Sequence, residues 1–178
     1  EPEILPTASK IKYITQAIAA GITRLEVASF VNPKKVPQMA DSEQLLAELP
    51  MPDAVSYIGL LMNERGLDRA LQTSVHEIGM VVVATDTYNM RNQGVPTRES
   101  VDVWLRIAER AKANGKAANV MISSAFGCPY EGEVAIEHVV EIAKRVMEAE
   151  PAELGIADSI GVAVPNQLTD LVGEVRHH

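Results

Sequence analysis

Two hydrophobic periods alternate along the chain. Ile11, Ile14 and Ile18 recur at helical spacing, and Gly21 follows them as a helix-ending residue. The run EIGMVVVA at 77–84 is nearly all apolar, which is typical of a strand covered on both faces. The predicted strands are 23–30, 54–61, 77–84, 117–126 and 153–158. The predicted helices lie at 11–18, 42–49, 64–72, 97–114, 136–147 and 168–175.

One polar segment interrupts this alternation. Residues 89–96 contain Gly and Pro and lack an apolar stripe, so they are predicted to form a loop. Thr97 follows as a predicted N-cap with Glu99 in the first turn of the next helix, which Gly115 ends. Trp104 begins the apolar stripe of that helix.

The order of the elements predicts the fold class. Five strands alternating with six helices, a helix first, indicate right-handed βαβ units and a parallel α/β sheet. No linker or break in composition divides the chain, which predicts one domain over 1–178. A doubly wound open sheet and a piece of a (β/α)8 barrel both fit, and periodicity does not separate them.

Composition excludes several classes of protein. The chain has 178 residues, 47% of them hydrophobic, which suits a globular domain with a real core. No apolar run reaches the roughly 18 residues of a membrane span, and a net charge of −8 without a basic cluster argues against nucleic-acid binding. One Cys and no basic-then-apolar leader predict a cytoplasmic protein.

The candidate chemistry lies where the predicted strands end. Ligands of parallel α/β folds bind at the carboxyl ends of the strands. Carboxylates placed there need a cation, a metal or another partner, or they cap helices, an alternative that is strongest for Asp86. No P-loop, G-x-G-x-x-G, H-x-H or H-E-x-x-H pattern is present. The polar residues at these positions are Glu26, Ser29, Asn63, Asp86, Ser123, Ser124, Asp158 and Ser159.

Cys128, in the segment GCPYEG, has two interpretations. A thiol in a turn could act as a nucleophile or acid, or it could be a small residue packed in a loop. No His stands in a motif beside it, which favours the packed residue.

Several segments together resemble the 3-hydroxy-3-methylglutaryl-CoA lyase family of metal-dependent TIM-barrel lyases. They occur in the family's order over nearly the whole chain, and SFVNPKKVPQMAD and GCPYEG are each specific. The matching segments are LEVASFVNPKKVPQMAD (25–41), the N-x-x-G of Asn63 and Gly66, ATDTYNMRN (84–92), GCPYEG (127–132) and IADSIGVAVP (156–165).

The resemblance implies a (β/α)8 TIM barrel and a retro-Claisen carbon–carbon lyase. The implied substrate is a 3-hydroxy-3-methylglutaryl-CoA-type thioester, cleaved to acetyl-CoA and a 3-oxoacid such as acetoacetate in leucine degradation or ketone-body metabolism. The implied cofactor is a divalent cation, Mg²⁺ or Mn²⁺, which would stabilise developing alkoxide charge. The resemblance also implies an acyl-CoA partner and a possible homodimer. Lys34 and Lys35 either contact the phosphates of CoA or lie in a solvent-exposed loop without a ligand.

The resemblance also implies roles for individual residues. Glu26 matches a family acid close to the metal and the reacting hydroxyl, and Asp158 matches the acid/base residue of D-[ST]-I-G. Ser29 and Ser159 match positions that line the acyl pocket. Asn63, Asp86 and Asn92 match polar positions around the barrel mouth. The family's catalytic Cys lies in a later segment, so Cys128 is not assigned a catalytic role.

Two departures qualify the resemblance. Asn119 and Met121 stand where the family usually has an Arg and a Tyr that hold substrate, which predicts a related acyl-CoA with a different side chain. The family's opening strand with its Arg-Asp pair, its H-x-H metal ligands and its catalytic Cys are expected outside 1–178. Complete barrels run to about 250 residues. The chain is therefore predicted to be a partial barrel that lacks the first strand and the last βα units, with no metal ligand of its own.

Two alternatives stay open at this stage. One is another metal-dependent enzyme of the same barrel, such as an isopropylmalate-synthase-like protein or a 4-hydroxy-2-oxoacid aldolase. The other is a non-catalytic binding protein, which becomes the first choice if 178 residues are the whole chain. Flanking sequence without the Arg-Asp pair and H-x-H would contradict the enzyme.

Overall fold

Strands and helices alternate throughout the structure, a computed structural model that describes residues 3–177. The described residues form five strands: β1 (Arg24–Ser29), β2 (Ser56–Leu61), β3 (Glu77–Val83), β4 (Ala117–Ser123) and β5 (Glu153–Ile156). The helices are α1 (Thr7–Ala19), α2 (Ser42–Glu48), α3 (Glu64–Ala70), α4 (Asp86–Gln93), α5 (Thr97–Ala113), α6 (Ile136–Met147) and α7 (Pro165–His177). A 3-10 turn, Pro37–Met39, precedes α2.

The strands form one parallel sheet in the order of the sequence, β1-β2-β3-β4-β5. β1 pairs in parallel with β2 from Arg24↔Ser56 to Ser29↔Leu60, with an irregularity between Glu26 and Ala28. β4 pairs in parallel with β5. A doubly wound sheet reverses its strand order at a switch point, whereas a barrel adds each strand beside the previous one. The observed order is therefore that of a barrel segment.

The chain divides into two compact units, which are described separately. The first comprises the residues up to Gly79 together with Ala111–Ala117, and the second comprises Met80–Arg110 and the residues from Ala118 onward.

The core of the first unit lies between its strands and α1–α3. Removing each large apolar side chain from water contributes about 1.5–3 kcal/mol relative to exposure. Ser42, at the start of α2, ties that helix to the end of β1, since its hydroxyl donates to Ser29 O (2.9 Å) and accepts from Ser29 N (3.2 Å). The buried side chains include Ile14, Val27, Leu45, Leu46, Tyr57, Leu61, Leu67, Val75 and Ile78.

The core of the second unit is built around Trp104. Its ring is fully buried, and the indole N–H donates to the carbonyl oxygen of Val146 at 2.9 Å. The apolar stripe predicted for α5 is buried as expected. The other core residues of this unit include Met80, Val82, Ile107, Ala108, Val120, Ile122, Val139, Val146 and Leu171.

The loop prediction for 89–96 is wrong over 89–93, because α4 extends to Gln93. This helix is polar on all sides and buries only Asn89, so it carries no hydrophobic period. Tertiary hydrogen bonds stabilise it instead: Asn89 Oδ1 accepts from Val83 N (3.2 Å) and Gln93 Nε2 donates to Val81 O (2.7 Å). α4 is thus a seventh helix beyond the six predicted.

Helix ends agree with the sequence at two glycines and differ at Thr97. Gly21 and Gly115, just past the ends of α1 and α5, have φ of +95° and +68°, the left-handed conformation that glycine adopts without strain. Thr97 is the first residue of α5 rather than its N-cap, and its hydroxyl donates to Val83 O (2.9 Å). Among residues 3–177, no helix combines the length and apolar character needed to cross a bilayer.

Candidate active site

Glu26 occupies the middle of β1 and not its carboxyl end, which corrects the sequence-based placement. A Cβ atom built on Gly79 of β3 would lie 3.8 Å from Glu26 Oε2 and 3.3 Å from Ile58 Cγ2. Gly79 therefore leaves the space into which the Glu26 carboxylate extends, past Ile58 of the neighbouring strand.

Within residues 3–177, no counter-charge lies beside the Glu26 carboxylate. It makes no hydrogen bond or ion pair with any residue that the structure describes, although Glu26 keeps an exposed surface. Partial burial raises the pKa of Glu26 above its ordinary value, because neighbouring protein removes water from the charged form. A carboxylate with a raised pKa is a better proton acceptor, as a general base requires.

Ser29 and Asn63 lie at the ends of β1 and β2, where the sequence placed them. Ser29 is the last residue of β1 and is buried. Asn63 is the N-cap of α3, and its Oδ1 accepts from Gly66 N at 3.0 Å. A Cβ on Gly66 would approach Leu61 Cβ and Phe30 O to 3.0 Å each, so only glycine packs there without a shift. The N-x-x-G pattern is thus explained by capping and close packing.

Replacing Asn63 by Ala should lower the free energy of unfolding by about 1 kcal/mol, since Gly66 N loses its acceptor. Asn63→Ser, which still offers a capping oxygen, should cost less than half of that. Urea denaturation of the full-length variants measures both. Equal losses in the two variants would show that the cap does not account for the role of Asn63 in stability.

Asp86 begins α4 and supports the start of the following helix. Its Oδ1 accepts from Thr97 N at 2.8 Å, and the residue is exposed. The helix-capping alternative raised by the sequence therefore describes Asp86 in this structure. Glu131 of the GCPYEG segment contacts the same helix, since its Oε1 accepts from Thr87 N at 2.7 Å. Asn92 is exposed in the last turn of α4.

Asp158, two residues past β5, organises the loop that follows it. Its Oδ1 accepts from Gly161 N (2.9 Å) and Ile160 N (3.4 Å), and its Oδ2 accepts from Ala163 N (2.8 Å). Backbone N–H groups, led by that of Ala163, lower the pKa of Asp158 below its ordinary value. Asp158 therefore stays ionised at neutral pH and holds a fixed negative charge at the strand end.

Ser159 meets Ser124 at the carboxyl ends of β4 and β5. Ser159 Oγ accepts from Ser124 N at 2.8 Å. Ser124 is fully buried with φ of +55°, and its Oγ has no hydrogen-bond partner within residues 3–177. A strained residue with an unsatisfied hydroxyl at this edge is a candidate for ligand contact. The sequence placed Ser124 among the polar residues near a strand end, and the family resemblance gave it no role.

Cys128 is packed inside a closed loop, which agrees with its interpretation as a small, packed loop residue. It is buried, pairs with Gly132 in an isolated antiparallel bridge, and its Sγ accepts from Thr85 Oγ1 at 3.0 Å. Tyr130 N also approaches Sγ, at 3.4 Å. The thiol therefore acts as a hydrogen-bond acceptor that closes the GCPYEG segment.

Replacing Cys128 by Ser should leave turnover within about threefold of wild type and lower the free energy of unfolding by about 1 kcal/mol, because a hydroxyl still accepts from Thr85 but fills less volume. Steady-state kinetics and urea denaturation on the full-length protein check this. A variant that folds with native stability but has lost its turnover would show that the thiol takes part in the chemistry.

The two residues that depart from the family pattern lie on β4. Asn119 is buried, and Met121 keeps 37% of its surface exposed in the interior of the strand. A Cβ on Gly155 would lie 2.6 Å from Met121 Cε and 2.7 Å from its Sδ, so the thioether covers Gly155 of β5. Met121 thus presents a flexible apolar surface beside Gly155.

The candidate residues fall into separate groups. Glu26, Ser29 and Asn63 belong to the first compact unit, and Asp86, Asp158 and Ser159 belong to the second. Of these, Ser159 is hydrogen-bonded to Ser124, and Asp86 is hydrogen-bonded to Thr97 at the start of α5. No three His, Cys, Asp or Glu side chains within residues 3–177 are grouped so as to hold a metal ion.

Comparison with known proteins gives a consistent match. A family model described as HMGL-like matches residues 1–178. The chain is 34% identical to (R)-citramalyl-CoA lyase of Chloroflexus aurantiacus, over 96% of this chain and 57% of that protein. It is 32% identical to hydroxymethylglutaryl-CoA lyase YngG of Bacillus subtilis, over 94% of this chain and 56% of that protein. The chain thus spans little more than half the length of these relatives.

A solved structure has the same fold as this chain. An HMG-CoA lyase from Acinetobacter baumannii, in complex with coenzyme A and 3-methylmalate, superposes with a TM-score of 0.94 at 29% identity. The match covers 99% of this chain and 58% of that one. The parallel strand order and this likeness confirm the predicted α/β fold of the TIM-barrel lyases.

Proposed function

Because the chain belongs to the HMGL-like family, we propose that the protein is a carbon–carbon lyase that cleaves a 3-hydroxyacyl-CoA thioester by a retro-Claisen reaction. The released products are acetyl-CoA and an oxoacid. Both relatives compared above are named as acyl-CoA lyases, which supports the reaction class.

The geometry of Glu26 is the observation that carries the proposal. A carboxylate with a raised pKa, no counter-ion among the described residues, and space provided by Gly79 is suited to accept a proton. In the proposed reaction Glu26 removes the proton of the 3-hydroxyl group. The bond between C2 and C3 then breaks, its electron pair forms the acetyl-CoA enolate, and C3 becomes the carbonyl of the oxoacid. A general acid then protonates C2 of the enolate, which gives acetyl-CoA.

The other candidate residues have supporting roles in the proposal. Asp158, which is ionised before the reaction, is proposed as an acid/base residue that first accepts a proton and then passes it on in the enolate step, or as the acceptor that orders the loop at the strand end. Ser29 and Ser159 are proposed to line the acyl pocket, and Asn63 and Asp86 to contribute at the barrel mouth while they cap helices.

Two substrates are supported by specific observations. A 3-hydroxy-3-methylglutaryl-CoA-type thioester follows from the named lyases and would give acetoacetate. A citramalyl-CoA-type thioester, which would give pyruvate, is favoured by the relative with 34% identity and by Met121, which stands where the resemblance implies a Tyr that holds substrate. The two substrates differ by one methylene between C3 and the carboxylate.

The proposal also includes a metal site and further barrel strands that are not formed by the described residues. We propose that the protein requires Mg²⁺ or Mn²⁺, with ligands in sequence outside these 178 residues. The same flanks would carry the remaining strands of the barrel, so that 1–178 is one partial catalytic domain. The cytoplasmic location and the homodimer stay predictions.

The test is acetyl-CoA release by the purified full-length protein, with each of the two thioesters and with malonyl-CoA as a control that has no 3-hydroxyl. Turnover of one or both hydroxyacyl thioesters, lost with a chelator and restored by Mg²⁺ or Mn²⁺, is the expected result. No release from either thioester in the presence of both metals would contradict the proposal.

A further inference from the structure

The first glycine of the GCPYEG segment packs against the loop that follows β5. A Cβ atom built on Gly127 would lie 2.8 Å from Cγ2 of Val162 and 3.7 Å from Cδ1 of Ile160. The φ angle of Gly127 is not positive, so its backbone conformation is open to alanine. Close packing against Val162, rather than backbone conformation, is therefore the reason for a glycine at this position.

Val162 lies between two residues whose backbone N–H groups bind Asp158. Gly161 N donates to Asp158 Oδ1 at 2.9 Å, and Ala163 N donates to Oδ2 at 2.8 Å. Planar peptide units join residue 162 to both neighbours, so a displacement of Val162 moves both N–H groups. The position of the Val162 side chain thus affects how each oxygen of the carboxylate is held.

Neither side of the contact between Gly127 and Val162 gives way easily. The methyl groups of Val162 branch at Cβ, and χ1, the one torsion of the side chain, is stiff. Gly127 leads into a closed turn, in which Cys128 N donates to Gly132 O at 2.8 Å and Gly132 N donates to Cys128 O at 2.9 Å. Cys128 Sγ accepts from Thr85 Oγ1 at 3.0 Å, which anchors this turn to the segment after β3. We therefore expect a methyl group added at 127 to displace the backbone at 162.

We propose that Gly127 is a positioning residue for Asp158. Because Gly127 has no side chain, Val162 packs where Gly161 N and Ala163 N both reach the carboxylate, and this fixes the orientation of the carboxylate. This role rests on the proposed function, in which Asp158 takes part in the enolate step. The GCPYEG segment thus supports the reaction through its shape, while its thiol takes no part in the chemistry.

Gly127→Ala in the full-length protein should lower kcat for the acyl-CoA thioester about tenfold, as loss of a hydrogen bond to a charged group does, with KM within about twofold. The same substitution in the Val162→Ala background should lower kcat less than about twofold, since Cγ2 of Val162 is then absent. An equal loss in both backgrounds would overturn the proposal, because the effect would not pass through Val162.

Gly173→Ala is the matched control for adding a methyl group to a glycine. Gly173 is exposed on α7, and a Cβ built on it meets no atom within 4 Å. The variant should keep the kcat and KM of wild type.

Hydrogen–deuterium exchange separates this proposal from the proposed reaction. It is measured on the full-length protein without substrate, so it reports on the loop even if no thioester is cleaved. The amides of Gly161 and Ala163 should exchange about tenfold faster in Gly127→Ala than in wild type. In the Val162→Ala background, Gly127→Ala should leave their exchange nearly unchanged. Unaltered exchange in Gly127→Ala, or faster exchange with an unaltered kcat, would overturn the proposal.

Folding of the variants is checked first by circular dichroism, because Gly127 is buried and overpacking destabilises a protein. If Gly127→Ala alone does not fold, the double variant with Val162→Ala should fold, since the crowding methyl group is removed. A double variant that is equally unfolded would overturn the proposal.

Discussion

Replacing Glu26 by Gln should lower kcat for C–C cleavage by about 10²–10⁴-fold, because the amide cannot accept the hydroxyl proton. KM should change little, since the side chain keeps its size and its place beside Gly79. Steady-state kinetics of the full-length protein measure both constants. In wild type the rate should fall as pH drops through the raised pKa of Glu26, and the variant should lack that dependence.

Stability provides an independent check on Glu26. Because burial raises its pKa in the folded protein, the folded state holds the proton more tightly than the unfolded state does. The free energy of unfolding therefore falls as pH rises from the pKa of Glu26 in the unfolded state to its raised pKa in the folded state. Above both pKa values the loss is complete. Glu26→Gln should consequently have a Tm at pH 7 equal to or above that of wild type.

Glu48→Gln is the matched control, since it removes an exposed carboxylate of α2 whose oxygen already accepts from Gln44. It should change neither kcat nor its pH dependence. Near-normal turnover of Glu26→Gln would remove Glu26 from the mechanism, and a fall in both Tm and kcat would assign it a structural role.

Asp158→Asn should reduce turnover by about 10²-fold or more. The amide nitrogen cannot accept, so either Gly161 N or Ala163 N loses its partner and the fixed charge disappears. Two readouts on the full-length protein separate the possible causes. Exchange of acetyl-CoA methyl protons in D₂O reports enolate formation, and susceptibility of the 159–164 segment to protease reports the order of the loop.

An acid/base role predicts that Asp158→Asn loses methyl-proton exchange while the loop stays protected. A purely organising role predicts loss of protection together with loss of exchange. Asp170→Asn, an exposed position on α7, serves as the control and should be indistinguishable from wild type. If Asp158→Asn turns over substrate at the normal rate, Asp158 has neither role.

Elements with a hydrophobic period were predictable from the sequence, and elements without one were not. β3 and α5 bury the apolar positions that the pattern indicated, because burial of those side chains is the main driving force for both. α4 was missed because hydrogen bonds stabilise it, which the side chains of Asn89 and Gln93 make with backbone groups outside the helix. Such contacts leave no periodic signal.

The site shows the same division. The sequence by itself determined the family, the alternation of strands and helices, and which polar residues stand near strand ends. Tertiary structure decided what each residue does there. Asn63 and Asp86 are engaged in capping, and backbone N–H groups hold Asp158 ionised. Among the candidate carboxylates of residues 3–177, Glu26 is the one without a partner and with a raised pKa. The reason is that a carboxylate's proton affinity depends on its neighbours and on lost water, which residue type and spacing do not specify.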